Sequence, residues 1–258
     1  MIRDKTEERL AELDNVISKS VDLKNRRIYF GSSDEDDDNS FNWLTVEMAI
    51  RGIHQLVDAS DKDPIELHIS SPGGNCYDAL RLIDAIHLAP VKIIFVGGGE
   101  IMSSAAFVMA ACDERLLYPN ACIMLHEISE QYSNEKVTWT EHKINDIEWT
   151  RLQELLYQIL EDNSRMPKEF WRDILCRDLY LTSDEAVMLG IADKVLQPKK
   201  RGNLRKVRNA ALAACPERKQ INDLVKDIYK RVHKEKVASK IEIIVPGLPL
   251  EDESDVEN

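Results

Sequence analysis

Ser103 lies in the run Gly97-Gly98-Gly99-Glu100-Ile101-Met102-Ser103-Ser104-Ala105-Ala106-Phe107. An apolar, strand-like segment over residues 91–96 precedes it, and a helix-like segment over 105–111 follows. A serine at such a junction sits at a helix N-terminus, where unpaired N–H groups and the positive end of the helix dipole gather. Attack of a serine hydroxyl on a carbonyl creates an oxyanion, and such a place stabilises it. The attack also needs a base to take the hydroxyl proton and a carboxylate to orient that base. The histidines are His54, His68, His87, His126, His142 and His233. His126 ends the apolar run Cys122-Ile123-Met124-Leu125, and a strand end is a rigid place from which an imidazole can face a helix terminus. Spacing alone leaves open that His126 is a structural histidine. His54 and His87 fall inside helical patterns and read as packing or surface residues, whereas His142 and His233 read as solvent-facing.

The elements that must position these residues follow a strand–helix rhythm. Residues 27–30 read as a strand stopping at Gly31, and 43–57 as an amphipathic helix with Val46, Ile50, Ile53 and Leu56 inward. A strand over 65–69, a turn at Ser70-Ser71-Pro72-Gly73-Gly74, a helix over 75–88 and a strand over 92–96 come next. That alternation predicts parallel strands joined by right-handed crossovers. After the serine helix, short strands are expected over 115–118 and 122–125. Residues 141–161 carry the longest helical pattern, with Ile144, Ile147, Leu152, Leu155, Leu156 and Ile159 apolar. A short helix over 168–175 follows Pro167, which suits a first helical turn. Thr182-Ser183-Asp184-Glu185 reads as a capping box, and Gly190 closes that helix as a C′ residue.

The ends of the chain read differently. Residues 1–20 form a charged helical pattern with Leu10, Leu13 and Ile17 on one face. Composition changes at Pro198: residues 199–208 hold six basic side chains, 210–214 are helix-prone, 220–237 are another helical pattern, and an acidic tail closes the chain. The expected division is an N-terminal helical extension (1–23), a central domain (24–197) and a helical appendage (198–258) whose last dozen residues are disordered.

Composition sets further bounds. The chain has 258 residues and a hydrophobic content of 43%, enough for one sizeable α/β domain with extensions. No apolar run is long enough for a transmembrane helix, and the charged start has no apolar h-region of a signal peptide. The cysteines Cys76, Cys112, Cys122, Cys176 and Cys215 are odd in number and lack CxxC spacing. A zinc site and a disulfide framework are disfavoured, and a reducing, cytoplasmic setting is expected. A net charge of −12 argues against general nucleic-acid binding. Much of the acidic excess lies in Asp34–Asp38 and in residues 251–257, which read as solvated chain. The first cluster lacks the glycine and terminal glutamate of an EF-hand loop.

Four motifs in order carry a resemblance to a known family. They are Ser70-Ser71-Pro72-Gly73-Gly74; Gly99-x-x-x-Ser103; Tyr118-Pro119-Asn120 with Met124-Leu125-His126; and Arg177-Asp178-Leu179-Tyr180-Leu181-Thr182-x-x-Glu185-Ala186-x-x-x-Gly190-Ile191-Ala192-Asp193. Over residues 24–197 the chain resembles the Clp-type serine peptidases (ClpP), as a divergent member with N- and C-terminal extensions. The resemblance implies an α/β fold of the ClpP/crotonase kind: a repeated ββα superhelix with a protruding helical handle, here residues 141–161. It implies Ser103 as nucleophile, His126 as general base and later acid, and Asp178 as the acid that holds the imidazole. The backbone N–H groups of Gly74 and Ser104 are implied as the oxyanion hole; a glycine at 74 lets the backbone approach a substrate carbonyl closely. No metal or organic cofactor is implied.

By the same resemblance the chain would be an endopeptidase that cleaves unfolded polypeptides through an acyl-enzyme inside a chamber. The homo-oligomer would be a heptameric ring, stacked in the family into a tetradecamer and fed by an AAA+ unfoldase, with no membrane role. Ser104 competes with Ser103 as nucleophile, and Asp173 and Asp184 compete with Asp178 as the acid. Asp184 fits the first turn of a capped helix, and Asp173 a solvent-facing helical site. The chain departs from the family after His126, where Glu127-Ile128-Ser129-Glu130-Gln131-Tyr132 replaces a Gln-Pro and a glycine-rich strand. Its N-terminal helix and C-terminal appendage also differ. These departures keep open an unfoldase-independent protease that matures viral capsid or scaffold proteins. A crotonase-like acyl-CoA enzyme and a non-catalytic ring subunit are further alternatives.

Overall fold

The computed structural model describes residues 20–31, 39–129, 138–197 and 218–233. Among them one mixed sheet forms from β1 (Val21–Asp22), β2 (Arg27–Tyr29), β3 (Ile65–Ser71), β4 (Ile93–Met102), β5 (Glu114–Leu117), β6 (Cys122–Leu125), β7 (Leu179–Thr182) and β8 (Lys194–Val195). The helices are α1 (Trp43–Ala59), α2 (Cys76–Leu88), α3 (Ser104–Ala111), α4 (Trp139–Asp162), α5 (Lys168–Ile174), α6 (Ser183–Leu189) and α7 (Arg218–His233). The patterns over residues 1–19, the acidic cluster Asp34–Asp38, the basic stretch 199–208, residues 210–214 and the acidic tail lie outside the described residues.

β4 organises the sheet. Its first half runs parallel to β5, from Ile94 opposite Glu114 to Gly97 opposite Leu117. Its second half runs parallel to β6, from Glu100 opposite Cys122 to Met102 opposite Met124. Between the halves the pairing with β3 slips: β3 advances from Ile69 to Ser71 while β4 advances from Gly97 to Ile101. The extra residues bend β4, as bulges do, and one strand thereby serves two neighbours. The expected strand over 92–96 therefore continues through the three glycines, and Ser70 and Ser71 belong to β3 rather than to a turn.

The parallel expectation holds for β2–β3–β4 and for β5 and β6 on β4, but two pairs are antiparallel. β1 folds back on β2, and β7 pairs with β6 from Cys122 opposite Thr182 to Leu125 opposite Leu179. Side chains cap the starts of α1, α2, α4 and α6. Asn42 accepts from the Leu44 and Thr45 N–H groups at α1, and Asn75 from Tyr77 and Asp78 at α2. Thr182 and Glu185 form the expected capping box at α6, and Gly190 ends that helix in the left-handed conformation with φ +81°. Every residue of α3 is buried, as befits a helix that is small or apolar all round. It packs against α2 and α4 and against the site-bearing ends of β4 and β6.

Candidate active site

Ser103 joins β4 to α3 in a backbone conformation that non-glycine residues rarely adopt, with φ +51° and ψ −122°. Its N–H donates to the Met124 carbonyl of β6 at 2.8 Å, which fixes the turn against the neighbouring strand. The turn lifts the side chain out of the strand–helix path. Ser103 Oγ lies 2.8 Å from His126 Nε2. His126 follows the last residue of β6, so two adjacent parallel strands deliver the hydroxyl and the imidazole to one edge. For Nε2 to accept the hydroxyl proton, the neutral ring carries its own proton on Nδ1.

Asp178 immediately precedes β7. The antiparallel ladder ends with Leu125 opposite Leu179, so His126 and Asp178 lie just beyond the same end of it. No hydrogen bond joins the two side chains, and Asp178 is exposed. The rival carboxylates lie elsewhere. Asp173, at the end of α5, accepts from the Tyr229 hydroxyl at 3.3 Å. Asp184 sits in the first turn of α6.

The glycine pair after β3 closes on the serine turn from the other side. Phe41 donates its N–H to the Gly73 carbonyl and accepts from the Asn75 N–H, both at 2.7 Å. This ladder pattern leaves the Gly74 N–H turned away from Phe41. A Cβ at Gly73 would lie 2.6 Å from Ser103 Cβ and 2.8 Å from the Met102 carbonyl oxygen. A Cβ at Gly74, where φ is +145°, would lie 2.4 Å from the Phe41 carbonyl oxygen. Only glycine permits this approach. The Ser104 hydroxyl is buried and donates to the Gly74 carbonyl at 2.9 Å. Ser104 therefore spends its side chain on the glycine pair, and its N–H lies at the first position of α3, where no helical partner exists.

Two supports of the site were not evident in the sequence. Phe41 is a fully buried residue in an otherwise polar stretch, and nothing in its neighbours signals that it bridges Gly73 and Asn75. The segment leaving His126 is tied to helices instead of continuing as a strand. The Glu127 N–H donates to the Leu175 carbonyl at 3.0 Å, the Ile128 N–H to the Gln153 amide oxygen Oε1 at 2.7 Å, and the Tyr157 hydroxyl to Glu127 Oε1 at 3.1 Å. Burial, reinforced by the Glu127 charge, pushes the Tyr157 phenol well above its usual range, so it stays a donor. Of the other histidines, His54 and His142 are exposed on helices, His87 contacts the Ala111 carbonyl at 3.2 Å, and His68 pairs with Glu66 at 3.0 Å. The His233 side chain lies outside the described residues. Among the described residues no cluster of His, Cys, Asp and Glu is arranged to hold a metal ion, and no helix is long and apolar enough to cross a membrane.

Comparison with known proteins adds two findings. A family model described as Clp protease matches residues 20–199. The ATP-dependent Clp protease proteolytic subunit 2 of Pseudomonas aeruginosa is 31% identical over 150 residues, covering 57% of this chain and 72% of that protein.

Proposed function

The chain belongs to the Clp protease family and is a serine-type endopeptidase of the ClpP type, and we propose that Ser103, His126 and Asp178 carry its chemistry. The observation that carries this reading is the 2.8 Å contact between Ser103 Oγ and His126 Nε2, at a serine held in a strained strand-to-helix turn. His126 takes the Ser103 proton as Oγ attacks the scissile carbonyl. The tetrahedral oxyanion is received by the N–H groups of Gly74 and Ser104. The imidazolium then protonates the leaving amine, and water, activated by the same ring, releases the acyl group. Asp178, just beyond the same end of the β6–β7 ladder as His126, favours the Nδ1-protonated ring and the imidazolium electrostatically. In this reading the hydrogen bond from His126 Nδ1 to Asp178 forms on substrate binding or assembly.

The family relationship supports the wider picture. Residues 24–197 form the peptidase domain, built on the repeated ββα plan with α4 as the protruding handle. The chain assembles into heptameric rings, stacked as a tetradecamer, with the sites facing an inner chamber in the cytoplasm. An AAA+ unfoldase delivers unfolded polypeptide, in keeping with the name of the Pseudomonas relative. An exposed triad would attack any loose chain, so enclosure suits the chemistry.

Hydrolysis of a short fluorogenic peptide by the assembled protein tests the reading. Ser103→Ala and His126→Ala each lower kcat/KM by about four orders of magnitude. Activity in Ser103→Ala that remains within tenfold of the wild type would show that another group is the nucleophile.

A further inference from the structure

We propose that α7 is an intramolecular brace that sets the position of Asp178, with Tyr229 and Arg231 as its positioning residues. The proposal rests on the reading of Asp178 as the acid that orients His126. α7 lies outside the residues matched by the family model, which end at 199. It is nonetheless part of the core: Ile221, Leu224, Val225, Ile228, Tyr229 and Val232 are buried, and the helix packs on α5 and α6.

Those two helices flank the segment that carries Asp178. The chain runs from α5 through residues 175–178 into β7 and then α6. Asp178 is exposed and its side chain is not tied to His126, so its place is set by the backbone on either side. α7 grips both sides. Upstream, the Tyr229 hydroxyl donates to Asp173 Oδ2 at 3.3 Å, and its ring meets Phe170 edge-on at 6.1 Å. Burial, and then the Asp173 charge, push the Tyr229 phenol up to about 12, which keeps it a donor at neutral pH. Downstream, Arg231 Nη2 pairs with Glu185 Oε1 at 2.8 Å and Nη1 reaches the Tyr180 carbonyl at 3.4 Å. Asp227, one turn earlier in α7, holds Arg231 Nε at 3.0 Å and aims the guanidinium. Tyr180 pairs with Met124 in the β6–β7 ladder, and Asp178 and His126 lie just beyond one end of that ladder. A shift of β7 by a fraction of an ångström therefore moves the carboxylate relative to the imidazole.

A double-mutant cycle on the full chain separates positioning from plain stability. The Tyr229→Phe/Arg231→Gln protein is compared with the wild type, and the same pair of substitutions is placed in Asp178→Asn. The pair lowers kcat for a short peptide about fivefold with KM within about twofold, whereas in Asp178→Asn it changes kcat less than about twofold. Arg231→Lys, which keeps a cation for Glu185, restores part of the loss. Sedimentation checks that each variant assembles; should the double variant fail, Tyr229→Phe alone keeps the buried ring and carries the same comparison. An equal loss in both backgrounds, or no loss in the wild type, overturns the brace. An Asp178→Asn protein with unchanged kcat removes the reading of Asp178, and the brace with it.

Discussion

At Ser103 a φ of +51° places a non-glycine residue where the backbone costs about 1–3 kcal/mol. That strain is tolerated because the surroundings over-determine the turn: the Met124 carbonyl holds its N–H, and Gly73 leaves no room for even a Cβ beside it. Gly73→Ala has no room to settle, since the new Cβ would meet Ser103 Cβ at 2.6 Å and φ there is +102°. Peptide hydrolysis by this variant is expected to fall roughly a hundredfold or more, the scale of a lost oxyanion donor. Ser104→Ala has a milder outcome. It removes the bond to the Gly74 carbonyl, about 1 kcal/mol net, so kcat drops about fivefold while KM hardly changes. Steady-state kinetics distinguish this from a nucleophile, whose loss costs orders of magnitude more. Ser103 stood out at a strand-to-helix junction, whereas spacing alone left His126 open as a structural histidine and only the ordered motifs singled it out. The use of the Ser104 hydroxyl was not legible, because a serine beside a serine does not reveal which distant carbonyl it will meet.

Among the elements, β4 and β7 show where pattern reading stops. The glycines of β4 look like a loop, since glycine weakens strands and carries no alternating side chains. The bend they allow is what lets β4 pair with β5 and then β6, and so bring Ser103 beside His126. β7 is only four residues long and became visible as a strand through its pairing with β6. The Thr182–Glu185 box and the Gly190 stop were legible, because they depend on residue type at fixed spacing, whereas the caps at Asn42, Asn75 and Thr138 were not read from the sequence. Thr182 links β7 to α6 through the box with Glu185, the Thr182 N–H donating to Glu185 Oε2 at 2.7 Å. Thr182→Ala is expected to cost about 1 kcal/mol. Calorimetry would register this as a melting temperature lowered by about 2–4 °C. A drop beyond about 10 °C would mean that the cap also holds the β6–β7 ladder.

For the molecule as a whole, acid stability has a named source, and the proposed assembly has a candidate surface. At the far edge of the sheet Arg115 Nη2 and Nε grip Asp193 at 2.7 and 2.9 Å, and the Asp193 N–H returns a bond to the Arg115 carbonyl. Burial alone would raise the Asp193 carboxyl, but the hydrogen bonds and charge of Arg115 outweigh it and hold the group below its ordinary value. A depressed folded-state value contributes stability above the unfolded value, about 3.9, that is lost as pH falls through the folded value. Asp193→Asn should therefore show a lower urea midpoint at pH 7 and a smaller further fall towards pH 3 than the wild type. A fall as steep as the wild type's would assign the acid sensitivity to other carboxylates. On α4, Trp139, Ile144 and Ile147 are 72%, 60% and 72% exposed, apolar surface of the kind that partner subunits cover. On the proposed reading of α4 as the ring-to-ring handle, Ile144→Glu/Ile147→Glu is expected to halve the assembled mass in sedimentation, and an unchanged mass would place the contact elsewhere. The central claim, an acyl-enzyme on Ser103, is tested most directly by treating the assembled full-length protein with a fluorophosphonate and mapping the adduct by peptide mass spectrometry. The expected result is a single adduct on Ser103, formed far more slowly in His126→Ala. An adduct on Ser104, or none in the assembled protein, would contradict the account.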